Sequence, residues 1–220
     1  MAVNGRDERS PRRPVCPGRD RISIDGRALN DPRRRVLAFH KPAGLVTTRV
    51  DPGGRATVYQ CLDEVDSWVF PVGRLDRDTA GLLIFTNDTL LGRRLTDPAH
   101  HVPRTYHARL RGLPDREALR ALGQGVDLGR GETTRPADVR VLGSVRAEPT
   151  LAEGDRGGTW LEIVLTEGRN RQVRWMCARL GHDVLDLVRV GIGALTLGGL
   201  PVGEWRELTP ADEERLVGSA

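Results

Sequence analysis

Lysine is almost missing from this chain of 220 residues: Lys41 stands alone against 33 arginines. A skew that strong reflects codon usage, so the one position that kept a lysine carries information. Cysteine is sparse too. Cys16, Cys61 and Cys177 are scattered, odd in number and free of any CxxC pair, which fits reduced thiols in a cytosol and gives no zinc spacing. No apolar run approaches the ~18 residues that a membrane helix needs. The N-terminus is rich in arginine but has no apolar segment behind it, so no secretory signal is expected. His100-His101 has no partner at metal-binding spacing, and neither a Walker nor a Rossmann glycine pattern occurs, so no metal, nucleotide or other cofactor is expected. With 38% hydrophobic residues and a mean hydropathy of -0.40, the chain reads as a soluble cytoplasmic protein of one or two domains, expected to be a monomer and to have no membrane partner.

What is present begins with charge. Residues 1–35 hold ten arginines against five acidic residues, a net of +5, although the whole chain nets only +4. The excess basicity therefore sits at the N-terminus. Residues 1–20 are rich in Pro, Gly and Arg without periodicity, and are expected to form a disordered basic tail, either phosphate-seeking or merely solubilising. Asp25-Gly26 inside RISIDGRAL is a hairpin-turn signal.

The stretch that organises the rest is PVGRLDRDTAGLLIFTND, residues 71–88. Gly73, Arg74 and Leu75 lead into Asp76; Arg77, Asp78 and a Thr-Ala-Gly turn follow; LLIF then has the length and flanks of a buried strand. Asp76 thus lies in a loop feeding a core strand, where a rigid element can hold a carboxylate in place. The flanking arginines favour its ionised form. An ionised, positioned carboxylate suits a nucleophile, a general base or a metal ligand. The plain alternative is a surface loop whose Arg and Asp pair with each other.

Other segments carry weaker signals. VLAFHKPAGLVTT (36–48) reads as a strand, a Lys41-Pro42-x-Gly44 turn and a second short strand, with Pro42 fixing φ and Gly44 permitting a tight bend. Lys41 is a brace or a phosphate contact; a role as base is disfavoured because nothing in the sequence suggests burial. Residues 56–65 place Val58, Cys61, Leu62 and Val65 at helical spacing. Asp88 can cap a helix that ends before Pro98. RTYHARLRG (104–112) alternates as a strand, with Arg104, Tyr106, Ala108 and Leu110 on one face. Residues 114–125 form an amphipathic helix, and residues 144–158 a Gly- and charge-rich loop. WLEIVLT, the turn at Glu167–Asn170 and RQVRWMCARLG give a strand, a turn and a helix ended by Gly181. Arg169, Arg171 and Arg174 near that helix start suit a phosphate, against the alternative of a solvated cationic face. Thr209 with Pro210 starts a last helix.

GRLDRDTAGLL resembles the G-R-L-D motif of pseudouridine synthases, in particular the group that modifies ribosomal RNA (the RsuA/RluB/E/F group). Lys41-Pro42, Gly73–Asp76, Arg104–Tyr106 and EGRNRQVRWM (167–176) are similar to four segments of that family and stand in its order, so the resemblance covers roughly residues 36–216. It implies isomerisation of uridine to pseudouridine in ribosomal RNA without metal or cofactor. Asp76 would be the essential catalytic residue, and Tyr106 would stack on the target uracil with Leu165 as an apolar floor. Arg174 would form the salt bridge to the catalytic Asp, Arg74 would fill the space the base vacates, and Arg169 and Arg171 would contact RNA or orient Asp76. Lys41, Pro42, Gly44 and Gly73 would support the site. Trp175 departs from the pattern, standing where a second basic residue is common. Residues 21–35 resemble the hairpin that follows a small RNA-binding S4 module, whose helices are not expected here; this points to large-subunit (23S) rRNA, with small-subunit (16S) rRNA as the alternative.

The element pattern indicates an α+β fold. The resemblance adds a mixed, mainly antiparallel sheet in two halves with flanking helices and a central active-site cleft. Strands are expected at 36–40, 81–86, 104–111, 136–142, 160–166 and 183–189, in a catalytic domain over 36–216 followed by a short tail at 217–220. Two other functions compete with the enzyme reading. A catalytically silent RNA-binding protein has no use for a carboxylate in a cationic cleft. A phosphodiesterase with Asp76 and Asp78 as metal ligands is disfavoured by the arginines around them.

Overall fold

The computed structural model describes residues 1–16, 19–29, 33–129, 131–143 and 158–218. The expected loop at 144–158 lies outside the described residues except for Gly158. The chain divides into two compact units, Met1–Arg34 and Arg35–Ala220.

The first unit corrects the expectation of a disordered tail. Strands β1 (Ala2–Val3), β2 (Arg6–Asp7), β3 (Ile22–Ile24) and β4 (Arg27–Leu29) form an antiparallel sheet in the order β2-β1-β3-β4. Two-residue turns make this possible. Asn4 (φ 54°) with Gly5 (φ 77°), and Asp25 (φ 51°) with Gly26 (φ 77°), supply the paired positive φ angles that tight hairpins require. The Asn4 side chain ties the first turn to Asp20 and to the Arg21 amide.

The second unit is α+β. Its strands are β5 (Val36–Lys41), β6 (Phe70–Pro71), β7 (Ala80–Thr86), β8 (Arg104–Leu110), β9 (Asp138–Gly143), β10 (Thr159–Leu165), β11 (Val184–Ile192), β12 (Leu195–Thr196) and β13 (Trp205–Glu207). They build one sheet with a spine of β13-β5-β7-β11-β8-β10-β9. Every neighbouring pair on the spine is antiparallel except β7 and β11, which run parallel and share only Val188↔Ala80 and Arg189↔Gly81. That short seam divides the sheet into two antiparallel halves.

Both faces of the first half are covered, which is why β5 and β7 read as unbroken apolar runs. Ala38, Leu82 and Ile84 point to one core under helices α1 (Thr89–Thr96) and α4 (Pro210–Val217), together with Leu91, Leu95 and Leu216. Leu37, Phe39, Leu83 and Phe85 point to the opposite core, against Val58, Leu62 and Leu75. The second half packs Ala108, Leu161 and Ile163 against helices α2 (Arg116–Gln124) and α3 (Gln172–Arg179), through Leu122, Val173 and Met176.

Local chemistry sets the helix starts. Asp88 accepts from the Leu90 and Leu91 amides, Asp115 from Ala118, and Thr209 shares a reciprocal capping box with Asp212 behind Pro210. The helix expected over 56–65 is instead a single 3₁₀ turn, Val58–Cys61. Thr57 makes no side-chain cap there, and Tyr59 is committed to an edge contact with Phe85 and a hydrogen bond to the Val69 carbonyl. Tertiary packing overrides the helical spacing.

Gly81 is the residue that the seam cannot replace. It holds φ 109°, and a Cβ there would lie 2.2 Å from the Arg189 carbonyl oxygen and 2.6 Å from its nitrogen. Arg189, itself buried, donates Nε to the Leu82 carbonyl at 2.8 Å across the same seam. Gly81→Ala is expected to cost at least about 2–3 kcal/mol, read as a lower urea midpoint; a wild-type midpoint would contradict this account of the seam.

Candidate active site

The loop carrying Asp76 enters β7 at the seam, and its conformation is fixed from beneath by the Lys41-Pro42-x-Gly44 turn. Lys41 is wholly buried. Its ammonium donates to the Pro42 carbonyl at 2.9 Å, the Thr79 carbonyl at 2.8 Å and the Arg77 carbonyl at 3.4 Å. The Gly44 amide (φ 99°) donates to the Arg77 carbonyl at 2.6 Å, and Arg77 Nε returns a bond to the Gly44 carbonyl. Thr47 Oγ1 donates to the Leu75 carbonyl at 2.8 Å, and the Thr79 amide closes the loop on the Asp76 carbonyl at 3.1 Å. Leu75 anchors the segment in the core. Residues on both sides of Asp76 are thus immobilised. The expectation that Lys41 is unburied is wrong, and its burial removes it as a phosphate contact: an ammonium turned inward to three carbonyls cannot reach RNA.

A cleft of about 300 Å³ brings together Asp76, Arg74, Tyr106, Leu165, Arg169 and Arg171. Asp76 is half-buried, and its carboxylate makes no hydrogen bond or ion pair among the described residues. Tyr106 on β8 and Leu165 at the end of β10 supply one aromatic and one aliphatic wall; Leu165 is buried and Tyr106 half-buried between two cores. Gly73 (φ 76°) and the exposed Arg74 also line the cleft, and the Arg74 side chain has no partner among the described residues.

The arginines distribute differently from the expectation. The Arg174 salt bridge runs to Asp78, with Nε 3.3 Å from its carboxylate, and not to Asp76. Its remaining nitrogens bond the Asp78 carbonyl at 2.9 Å and the Val184 carbonyl at 3.0 Å. Arg171 grips the same carboxylate with two parallel bonds of 3.0 Å. Asp78 lies two residues nearer β7 and projects toward α3, so it meets the guanidinium groups first. Sequence reasoning missed its role, although the D-R-D spacing was the available signal. Arg169 is held by Glu132, Glu167 and the Thr133 carbonyl, so it serves as a wall of the cleft.

Electrostatics follow from these contacts. Burial alone would raise Asp78, but hydrogen bonds from Arg171 and the charges of Arg174 and Arg171 overcome it and hold the carboxyl below its usual range. Burial pulls Lys41 down to about 8, although the charges of Asp78 and Asp76 favour the ammonium. Asp76 also favours the charged forms of Arg171 and Arg174, so its own carboxylate stands in a cationic field. Burial pushes the Cys177 thiol up to about 12, consistent with packing. With both of its oxygens engaged by guanidinium groups, Asp78 offers nothing to a cation.

With this geometry in view, comparison with known proteins gives one answer. Residues 35–179 match the RNA pseudouridylate synthase family. Ribosomal large subunit pseudouridine synthase E of Xanthomonas campestris pv. campestris is 46% identical over 154 residues, covering 68% of this chain and 80% of that protein. Ribosomal large subunit pseudouridine synthase B of Bacillus subtilis is 35% identical over 199 residues, covering 90% of this chain and 78% of its own. A crystal structure of a pseudouridylate synthase superposes with a TM-score of 0.73 at 30% identity, over 98% of this chain and 87% of the other. The chain belongs to the RNA pseudouridylate synthase family. It is an enzyme of that class.

The clamp has a pH signature. Lys41 binds its proton less tightly folded (about 8) than unfolded (10.5), so between those values the unfolded state holds more protons and stability rises with pH. The stability difference between wild type and Lys41→Met should therefore shift in favour of wild type from about pH 8 to about pH 10.5. Denaturant titrations showing a flat difference across that window would contradict the buried, depressed ammonium.

Proposed function

We propose that this enzyme isomerises a specific uridine of large-subunit ribosomal RNA to pseudouridine, with Asp76 as the catalytic residue. The observation that carries the reading is an unpaired carboxylate, rigidly backed, facing a cleft with one aromatic and one aliphatic wall. The reaction breaks the N1–C1′ glycosidic bond, turns the base and rejoins it through C5, with the C5 proton leaving. A base inside a duplex is out of reach, so the uridine must be extruded into the cleft.

Each residue then has a task. Tyr106 stacks on one face of the uracil and Leu165 supports the other, holding a planar group while leaving it free to turn in its own plane. Asp76 addresses the sugar or the base, as a nucleophile at C1′ or C6 or as a base on the 2′ proton. Having no internal partner, it can act without first breaking an ion pair. Arg74, without a partner among the described residues, fills the space that the base vacates. Lys41, Pro42, Gly44 and Gly73 act through the loop they hold, and are positioning residues. Arg174 orients Asp76 indirectly, by fixing the Asp78 backbone two residues away. The substrate assignment rests on relatives whose names specify the large ribosomal subunit, and the chain spans most of their length.

A catalytically silent RNA-binding protein would share the cationic residues but would gain only repulsion from Asp76. Tritium release from [5-³H]uridine-labelled transcripts separates the readings, because C5 loses its hydrogen only if the C5–C1′ bond forms. Wild type should release label from 23S transcripts and not from 16S transcripts. Asp76→Asn should lower the rate by about 10²–10⁴-fold or more while still binding the RNA. Release from 16S alone would overturn the substrate assignment, and undiminished release by Asp76→Asn the catalytic one.

A further inference from the structure

The ion pair that the expected mechanism does not use is the one between Asp78 and Arg171. It has the geometry of a phosphate contact with a carboxylate in the phosphate's place: two parallel N–H···O bonds of 3.0 Å from one planar guanidinium. Arg171 also lines the cleft that holds Asp76. Its backbone is left-handed (φ 51°), an unfavourable state for a residue with a side chain and one that concentrates at functional sites.

The two arginines on Asp78 are not equivalent. The Arg174 side chain is 13% exposed and tied to two backbone carbonyls as well, so it stays where it is. Arg171 and Asp78 are 40% and 46% exposed at their side chains, and no other bond holds the Arg171 guanidinium among the described residues. Water and salt screen a pair so exposed, so an incoming anion can exchange for it more readily than for the less exposed Arg174 contacts. After exchange Asp78 keeps only a partial partner, because Arg174 Nε remains 3.3 Å away without a hydrogen bond to it.

We propose that Asp78 is a placeholder anion: its carboxylate holds the Arg171 guanidinium in the position where it receives an RNA phosphodiester, and the phosphodiester displaces it when substrate binds. The proposal rests on the cleft being the RNA-binding site of the preceding section. It assigns a phosphate subsite beside the flipped nucleotide and makes Asp78 a positioning residue that competes with substrate. The competition keeps Arg171 ordered in the free enzyme and opposes free anions, which must replace a tethered carboxylate without the other contacts of a bound RNA strand.

The test uses the full chain and a fluorescently labelled single-stranded oligouridylate, since phosphate contacts do not depend on sequence. Affinity is measured by anisotropy across a salt series for wild type, Asp78→Asn, Arg171→Ala and the double variant. Asp78→Asn should bind about two- to fivefold tighter at low salt. Its log K against log salt should be steeper by up to about 0.7, because no freed carboxylate takes up a cation as the phosphate sheds one. Arg171→Ala should bind more weakly, and adding Asp78→Asn to it should give no gain. Unchanged affinity and slope in Asp78→Asn would overturn the proposal. So would a gain that persists without Arg171, which would mark a long-range charge effect. If Asp78→Asn does not fold, the Asp78 carboxyl ¹³C shift in wild type is followed instead during titration with the same oligomer. It should move with saturation, and a stationary signal would overturn the exchange. None of these readouts needs isomerisation, so failure to modify 23S transcripts would count against the proposed substrate and leave this result readable.

Discussion

The loop of the proposed active site is braced by one buried ammonium. Lys41 is turned away from solvent and spends its three hydrogens on carbonyls of its own turn and of the loop that carries Asp76. Burying that charge is costly, and it is offset only because the carbonyls converge and two carboxylates lie close enough to favour the ammonium. The ammonium ties the turn to the loop backbone alongside the Gly44, Thr47 and Arg77 contacts. Part of the positioning of Asp76 thus comes from a buried residue that faces away from the cleft. An arginine fork would not fit a site shaped for a compact point charge with rotatable donors, which accounts for a single lysine surviving in a chain that otherwise uses arginine throughout.

The sheet places this loop where it is needed. Two antiparallel halves meet along β7 and β11 over only two paired residues, and Gly81 lets the backbones approach where any side chain would collide. The Asp76 loop comes from one half, while Tyr106 and Leu165 belong to β8 and β10 of the other. A cleft between two rigid half-sheets follows from the topology. It explains how three residues far apart in sequence hold a fixed geometry without a dense hydrogen-bond network of their own.

Much of this was legible in the sequence, and what was not has physical causes. The long strands declared themselves through apolar runs or alternation and through turn residues, and Asp88 and Thr209 through capping chemistry. Asp76, Tyr106 and Leu165 were identified by motif, and the structure brings all three to one cleft. Burial of Lys41 was hidden because a lysine beside a proline turn looks exposed unless the partner carbonyls are known, and these come from residues 36 and 38 positions downstream. The pairing of Arg174 with Asp78 depends on how far α3 stands from the loop, a tertiary distance with no local signature. At the N-terminus the Asn4-Gly5 turn was a readable hairpin signal, masked by the surrounding Arg- and Pro-rich composition. The 56–65 segment failed the other way: its helical spacing is real, but Tyr59 packing on Phe85 confines it to one turn.

The proposed chemistry reduces to a carboxylate with no hydrogen-bond or ion-pair partner among the described residues, facing a cleft walled by Tyr106 and Leu165, with Arg171 and Arg174 engaged by Asp78. The most direct measurement is pseudouridine mapping of ribosomal RNA from a strain lacking this protein, complemented with wild type or with Asp76→Asn. The account predicts one large-subunit site lost in the deletion, restored by wild type and not by Asp76→Asn. An unchanged map, or restoration by Asp76→Asn, would contradict it.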